Sequence, residues 1–456
     1  MAGIGFELRK MLRRNSLAGL LQAYTYAGLI SAGPWMLSIV GILLIGVLSL
    51  PFVVPTFLIA QFQVSVTYLI AGSLVLTGPF QLAYTRFTAD RLFEKRQDLV
   101  LSNFHGVVLL INLGALLFGV PTILWLFHGT SGVYRLFMLS GFVILANIWI
   151  AAIFLSGQKR YMHILLVFLI GYGATVVGSL LLNTHGLEGL LAGFVLGQCV
   201  LLFGLLLLIY REFPGRLFIS FEMFHKAHRH TALMWIGLLY NLGIWVDKLM
   251  FWYAPATGQA VIGPLHASII YDMPVFLAYL AIIPGMAVFL MRIETDFVEY
   301  YDAFYSAVRE GASLQHIENV RNGMVDALRT GLYEIVKVQS IAAILLFASG
   351  AELLRWLGIS VLYLPLLQVD VIAASLQVVF LGIINIFFYL DKRRVVLAAT
   401  SGFLLLNMLL TGITLQLNPA WYGYGFAGAM LIAVVIGLAA LDRKLERLEY
   451  ETYMLQ

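Results

Sequence analysis

"REFPGRLFISFEMFHKAHRH", residues 211–230, is the stretch on which the fold turns. Just before it, 187–209 is a nearly unbroken apolar run, and just after it 231–253 is another. A helix needs about 20 mainly apolar residues to cross a bilayer, so this loop joins two spans. Working outward finds the same alternation on both sides. Apolar runs cover 17–48, 59–82, 100–126, 134–155 and 163–182 upstream, and 264–291, 338–357, 366–390, 395–415 and 424–441 downstream. The expectation is an all-α, polytopic membrane protein with about twelve transmembrane helices in two six-helix lobes. Composition agrees. Of 456 residues 61% are hydrophobic and 11% charged, against about 45–50% and about 25% in soluble domains. Mean hydropathy is +0.91. So little polar surface cannot cover so much apolar side chain, which makes the bilayer the solvent. Alternating apolar strands of a membrane barrel are absent.

The basic residues set an orientation. Placing the N-terminus inside gathers 25 of the 28 Lys and Arg residues in cytoplasmic segments, leaving only Arg135, Lys248 and Arg355 elsewhere. Positive charge on alternate loops is the mark of cytoplasmic sides, so both termini are expected in the cytoplasm. The net charge of +4 is then a topology signal and implies no nucleic-acid partner. The single Cys199 allows no intramolecular disulfide. The apolar run after the basic start is too long for a cleaved leader and lacks a small-residue cleavage site, which fits direct insertion into a plasma membrane.

The expected organisation is a basic amphipathic segment 1–16, a lobe over 17–210, the connection 211–230, a second lobe over 231–441, and a tail 442–456. A long polar insertion, 292–337, interrupts the second lobe. In it Phe297, Tyr301, Phe304 and then Val320, Met324, Leu328 recur at helical spacing, which predicts two amphipathic helices broken near Gly311. These six side chains suit either an ordinary interfacial linker or partner docking.

No nucleotide-binding loop, nucleophile elbow, zinc-protease helix or paired-cysteine motif is present. The histidines of "HKAHRH" (His225, His228, His230) read as a solvated basic loop, because no carboxylate or cysteine completes a ligand set. No metal, cofactor or catalytic residue is expected.

What remains is "LGIWVDKLMFWY", residues 242–253. A charge at bilayer depth costs at least about 2.5–3.5 kcal/mol and should face a partner or a watery cavity. Asp247 and Lys248 point about 100° apart as helix neighbours, so another partner is expected, and Asp272 in "IIYDMP" is the candidate. Either the charges staple two helices, or Asp247, Lys248 and Asp272, with Tyr240 and Asn241, line a path for hydrated cargo. Trp245, Trp252 and Tyr271 near them could stack on sugar rings or serve as ordinary interfacial aromatics. Gly33-Pro34, Pro274 and Pro284-Gly285 are hinge candidates, since proline kinks a helix.

Twelve helices with an Asp-basic pair in helix seven, followed by "VDKLMFWYAPATGQAVIGPLHAS", resemble the multidrug/oligosaccharidyl-lipid/polysaccharide transporter superfamily. "YTRFTADRLFEKRQD" is similar to that superfamily's second-helix exit. More narrowly, "MAGIGFELRKML", "YTYAGLISAGPWMLS" and "GPLHASIIYDMP" resemble the PelG family, inner-membrane subunits of Pel exopolysaccharide export. The resemblance runs over the whole chain. It implies movement of an N-acetylgalactosamine-rich polysaccharide across the inner membrane for the biofilm matrix. It also implies a glycosyltransferase partner, PelF, and membrane partners PelD and PelE. It carries over no site residue. Other readings are a cation-coupled antiporter of the same fold, a major-facilitator transporter, or a scaffold for a polysaccharide synthase. The first usually keeps an acidic residue in helix one, and 15–48 has none; the second expects glycine where Phe93 stands.

Overall fold

The computed structural model describes residues 17–156, 161–213, 215, 217–225 and 229–454. The basic start and part of the "HKAHRH" cluster lie outside them. The chain forms two compact units, Pro34–Ser268 and the residues through Gly33 together with Ile269–Gln456. The sequence passes between units at Gly33–Pro34, inside helix α1 (Leu17–Ser49), and at Ser268–Ile269, whereas the 211–230 connection lies within the first-named unit.

That unit holds α2 (Phe57–Phe93), α3 (Asp98–Leu126), α4 (Gly132–Ser156), α5 (Tyr161–Leu181), α6 (Gly186–Glu212) and α7 (Thr231–Tyr253). Except in α2, which runs on to Phe93, boundaries fall within a few residues of the apolar runs. Its basic connections are clamped in place. Arg91, 2% exposed at the end of α2, reaches Glu94 (2.9 Å) and Glu222 (3.2 Å), while Arg96 meets the same Glu222 at 3.4 Å. His230 pairs with Asp90 at 3.1 Å. A buried guanidinium needs such partners, because an unpaired buried charge is far costlier than a paired one.

At the opposite end, a hairpin closes the unit. Strands β1 (Gln259–Ile262) and β2 (Leu265–Ala267) pair antiparallel around Gly263, whose φ of +52° suits a residue without a Cβ. The helix expected from residue 264 therefore starts only at Ile269. "GQAVIGPLHA" alternates and turns at Gly-Pro, a pattern that favours a hairpin.

The second unit is built of α8 (Ile269–Leu280), α9 (Ile282–Met291), a π-helical turn at Arg292–Phe297, α10 (Val298–Arg309), α11 (Leu314–Trp356), α12 (Leu364–Tyr389), α13 (Arg393–Gln416), α14 (Tyr424–Glu446) and the short α15 (Leu448–Met454). Pro284 explains the break between α8 and α9, since its ring excludes the carbonyl four residues earlier, that of Leu280. The insertion 292–337 forms helices, as its periodicity predicts. The second is the first half of α11, a single 43-residue helix capped by Ser313, whose side chain accepts from His316 N–H. It therefore continues a membrane span.

Among the described residues ten helices are long and apolar enough to cross a membrane, or eleven if the bent pair Gln22–Gly33 and Met36–Ser49 is one span. Helix α7 is long enough but less apolar, and it is not among them. Each of the twelve runs is helical over most of its length, 264–291 only from Ile269; the one outside the ten or eleven spans carries Asp247 and Lys248.

Candidate functional site

Helix α7 presents one face as a stripe, with Gly237, Asn241, Ile244, Lys248 and Trp252 spaced three or four residues apart. Along it, α7 lies against α2. At one end the backbones almost touch: a Cβ on Gly237 would lie 2.1 Å from the Gly78 carbonyl oxygen, and a Cβ on Gly78 would lie 2.9 Å from Asn241 Nδ2. Asn241 donates to the Gly237 carbonyl (3.0 Å), and on α2 Gln81 donates to Thr77 (2.9 Å), both of those side chains being buried. At the other end Tyr68 of α2 stacks on Trp252 with ring centres 4.6 Å apart, and Trp245 leans on Trp252 at 6.2 Å. The Tyr68 hydroxyl donates to the His266 carbonyl (2.9 Å), fastening the hairpin.

Between these ends sits the ion pair. Asp247 is fully buried and Lys248 is 5% exposed. The Lys248 ammonium donates to Asp247 Oδ2 (3.0 Å), to Oδ1 (3.3 Å) and to the Ile244 carbonyl (3.0 Å). This corrects the expectation that helix neighbours pair poorly: Lys248 meets Asp247 directly. A four-carbon stem lets the ammonium lie back over the preceding carboxylate while also meeting the carbonyl one turn earlier. Asp272 and Tyr271 stand in the first turn of α8, in the other unit, half-buried and fully buried respectively. Trp252 is 2% exposed, so its ring is already covered by the chain, while Trp245, Tyr240 and Asn241 are half-buried.

The helix break at Pro284-Gly285 is latched. Pro284 opens the backbone between α8 and α9, and the Gly285 N–H donates to Oε1 of Gln339 from α11 at 2.9 Å. The Gln339 amide in turn donates to Ser375 of α12 (3.1 Å), and Gln339 is 1% exposed. Pro274 is buried inside α8. The insertion's six aromatic and apolar residues are buried to different degrees. Phe297, Phe304, Met324 and Leu328 are buried, and Phe297 and Tyr301 pack on Tyr389 of α12 at 5.7 and 5.5 Å. Val320 and Tyr301 are half-buried. These six side chains cover the chain's own core.

Two polar sites went unread in the sequence. Asp370, in "LPLLQVDVIAAS", is a carboxylate 2% exposed on α12, and a lone Asp within an apolar run was the signal. At the π turn, Arg292 forks onto Glu334 (Nε–Oε2 2.6 Å, Nη2–Oε1 2.8 Å) and reaches Asp296 (2.8 Å), while Tyr389 donates to Glu294 at 2.7 Å. Nothing in local spacing links Arg292 to Glu334, which is 42 residues away. Among the described residues no group of three or more His, Cys, Asp or Glu side chains could hold a metal ion.

The fold is that of the MOP-superfamily transporters. An outward-facing multidrug resistance MATE family transporter matches at 13% identity and a TM-score of 0.62, covering 93% of this chain and 96% of the other. A MOP superfamily transporter from Pyrococcus furiosus Vc1 matches at 12% identity and 0.64, with the same coverage. A mutant of the Vibrio cholerae MATE transporter VcmN matches at 14% identity and 0.64, covering 99% and 100%. A comparison with curated proteins returns no match. The family model of PelG, described as "Putative exopolysaccharide Exporter (EPS-E)", matches residues 1–453, and the chain belongs to that family.

Proposed function

We propose that this protein carries the Pel exopolysaccharide, an N-acetylgalactosamine-rich polymer of the biofilm matrix, across the bacterial inner membrane. The observation that carries the reading is the family match over 1–453. The α2–α7 seam supports it, because an Asp–Lys pair kept within an otherwise apolar 23-residue helix costs stability that a hydrophobic pair would not. In this reading both termini are cytoplasmic, Asp247, Lys248, Tyr240, Asn241, Trp245 and Asp272 border the cargo path, and the latched break at Pro284-Gly285 and the bend at Gly33-Pro34 are where helices move. Polymer synthesis belongs to partners: PelF supplies the growing chain, and PelD and PelE complete the complex. The protein itself performs no bond chemistry.

The test is polymer export in cells carrying Asp247→Asn, Lys248→Met or Asp272→Asn, with membrane levels measured alongside. Export lost at normal protein level is the expected result; full export from all three variants sinks the path assignment. A second reading, cation-coupled transport, is favoured by buried Asp370. It requires that Asp370→Asn abolish the dependence of transport on the proton or sodium gradient.

A further inference from the structure

At the end of the Pro34–Ser268 unit away from its basic connections lies a cavity of about 610 Å³, within the ~300–1,000 Å³ typical of small-molecule sites. Four separate connections build its wall. Gln61 comes from the start of α2, Thr130 and Ser131 from the α3–α4 turn, His185 and Glu188 from the α5–α6 turn, and Gly263 from the β-hairpin. Each of these is held in place by cross-links. Gln61 donates to the Val261 carbonyl (3.0 Å), Ser131 donates to the Glu188 carboxylate, and Arg135 donates to the carbonyls of His128 and Thr130 (both 2.8 Å). Two glycines in the wall, Gly186 and Gly263, have φ of +62° and +52°, so the turns bare peptide groups where other residues would project side chains.

The chemistry of this wall is specific. It offers hydroxyls, an amide, an imidazole and uncovered peptides, which are small donors and acceptors pointing from several directions. Its ionisable groups are Glu188, His185 and the Tyr134 phenol, and no lysine or arginine lines it, the nearby Arg135 guanidinium being bound to turn carbonyls. Such a surface suits a ligand dense in hydroxyl and acetamido groups and repels one dense in carboxylates.

We infer that this cavity is a saccharide-binding subsite that takes a short stretch of neutral N-acetylhexosamine polymer and discriminates against uronate polymers. The inference rests on the export reading for its biological sense: under the proposed orientation the cavity faces the side on which polymer emerges.

The experiment uses the full-length protein in lipid nanodiscs and ligand-observed NMR titration with an N-acetylgalactosamine tetrasaccharide and a galacturonate tetrasaccharide. Gly129 borders the cavity, and a Cβ added there meets nothing within 4 Å, so Gly129→Trp fills the space and Gly129→Ala serves as the fold control. Expected are saturable binding of the neutral ligand, a loss of at least tenfold in Gly129→Trp, retention in Gly129→Ala, and no saturable galacturonate binding unless Glu188→Lys is present. The inference is overturned if the neutral ligand does not bind, if Gly129→Trp binds like the parent, if Gly129→Ala loses binding as well, or if galacturonate binds the parent equally. These results are read on purified protein, so they stand whether or not the Asp247 and Lys248 variants export polymer in cells.

Discussion

Two ionic clusters in this molecule use similar groups in different solvents. In α7, the side chains of Asp247 and Lys248 are 0% and 6% exposed and 3.0 Å apart. At the π turn, Arg292, Glu334 and Asp296 are 35%, 26% and 37% exposed and in closer contact, at 2.6 and 2.8 Å. The shorter, better-formed network is the less consequential for stability, because water competes for its charges and screens them. The looser pair has no such solvent to compete for or screen its charges, so their attraction acts at closer to full strength. Geometry alone would rank them one way; burial ranks them the other.

Single replacement of Asp247 or Lys248 by Ala tests this most severely. Leaving one buried charge is expected to cost about 3–5 kcal/mol, while Asp247→Leu with Lys248→Met recovers most of it, as read by unfolding of the purified protein in mild detergent. A double variant no more stable than the singles contradicts the burial argument. A double variant that is stable but does not export polymer separates function from folding.

Next in size comes the seam that frames the pair. Gly237→Ala forces the α2 and α7 backbones apart, since the new methyl would lie 2.1 Å from the Gly78 carbonyl oxygen, and overpacking of this kind costs on the order of 1–3 kcal/mol. A melting temperature unchanged from the parent would show that the helices separate freely there. Gln339→Leu strips the buried Gly285 N–H of its acceptor, at about 1–3 kcal/mol, and faster amide exchange at 282–286 is the local signature.

Arg292→Lys keeps the charge but loses the fork onto Glu334. With the network about one-third exposed, less than ~1 kcal/mol is expected, and a larger loss would mean the π turn depends on it. The smallest effect is at the C-terminal helix. Partial burial would raise the Glu451 carboxyl, but hydrogen bonds from Lys392 and Lys444 and their charges outweigh it and hold it below the ordinary carboxylate value. A depressed folded pKa means the contribution is present above the unfolded value and lost as pH falls through the folded one. Amide protection of 448–454 should therefore decline below about pH 4, and Glu451→Gln should remove that pH dependence.

Much of the architecture is legible in the sequence because lipid enforces a simple rule: a spanning segment must be long, apolar and helical. The runs 134–155, 231–253 and 395–415 come within two residues of α4, α7 and α13. Failures cluster where that rule gives way to backbone detail. The helix expected at 264 yields to a hairpin, and the polar 314–337 fuses with its span into α11, because polarity marks where the bilayer ends and not where a helix does. At the site, the depth of Asp247 and Lys248 follows from spacing, but their partnership depends on how a lysine stem folds back. Contacts such as Gly285 with Gln339, 54 residues apart, belong to tertiary packing and leave no trace in a local pattern.

The length of α11 has a mechanical consequence. Forty-three residues at 1.5 Å each make a rod of about 65 Å, roughly twice the hydrocarbon thickness of a bilayer. Its apolar half lies toward Trp356, and Gln339, the latch on the Gly285 break, sits near the middle as a fulcrum. A tilt of about 10° there would sweep the Ser313 tip through about 7 Å, calculated over about 26 residues of rise. Whatever grips that tip holds a lever on the α8–α9 break.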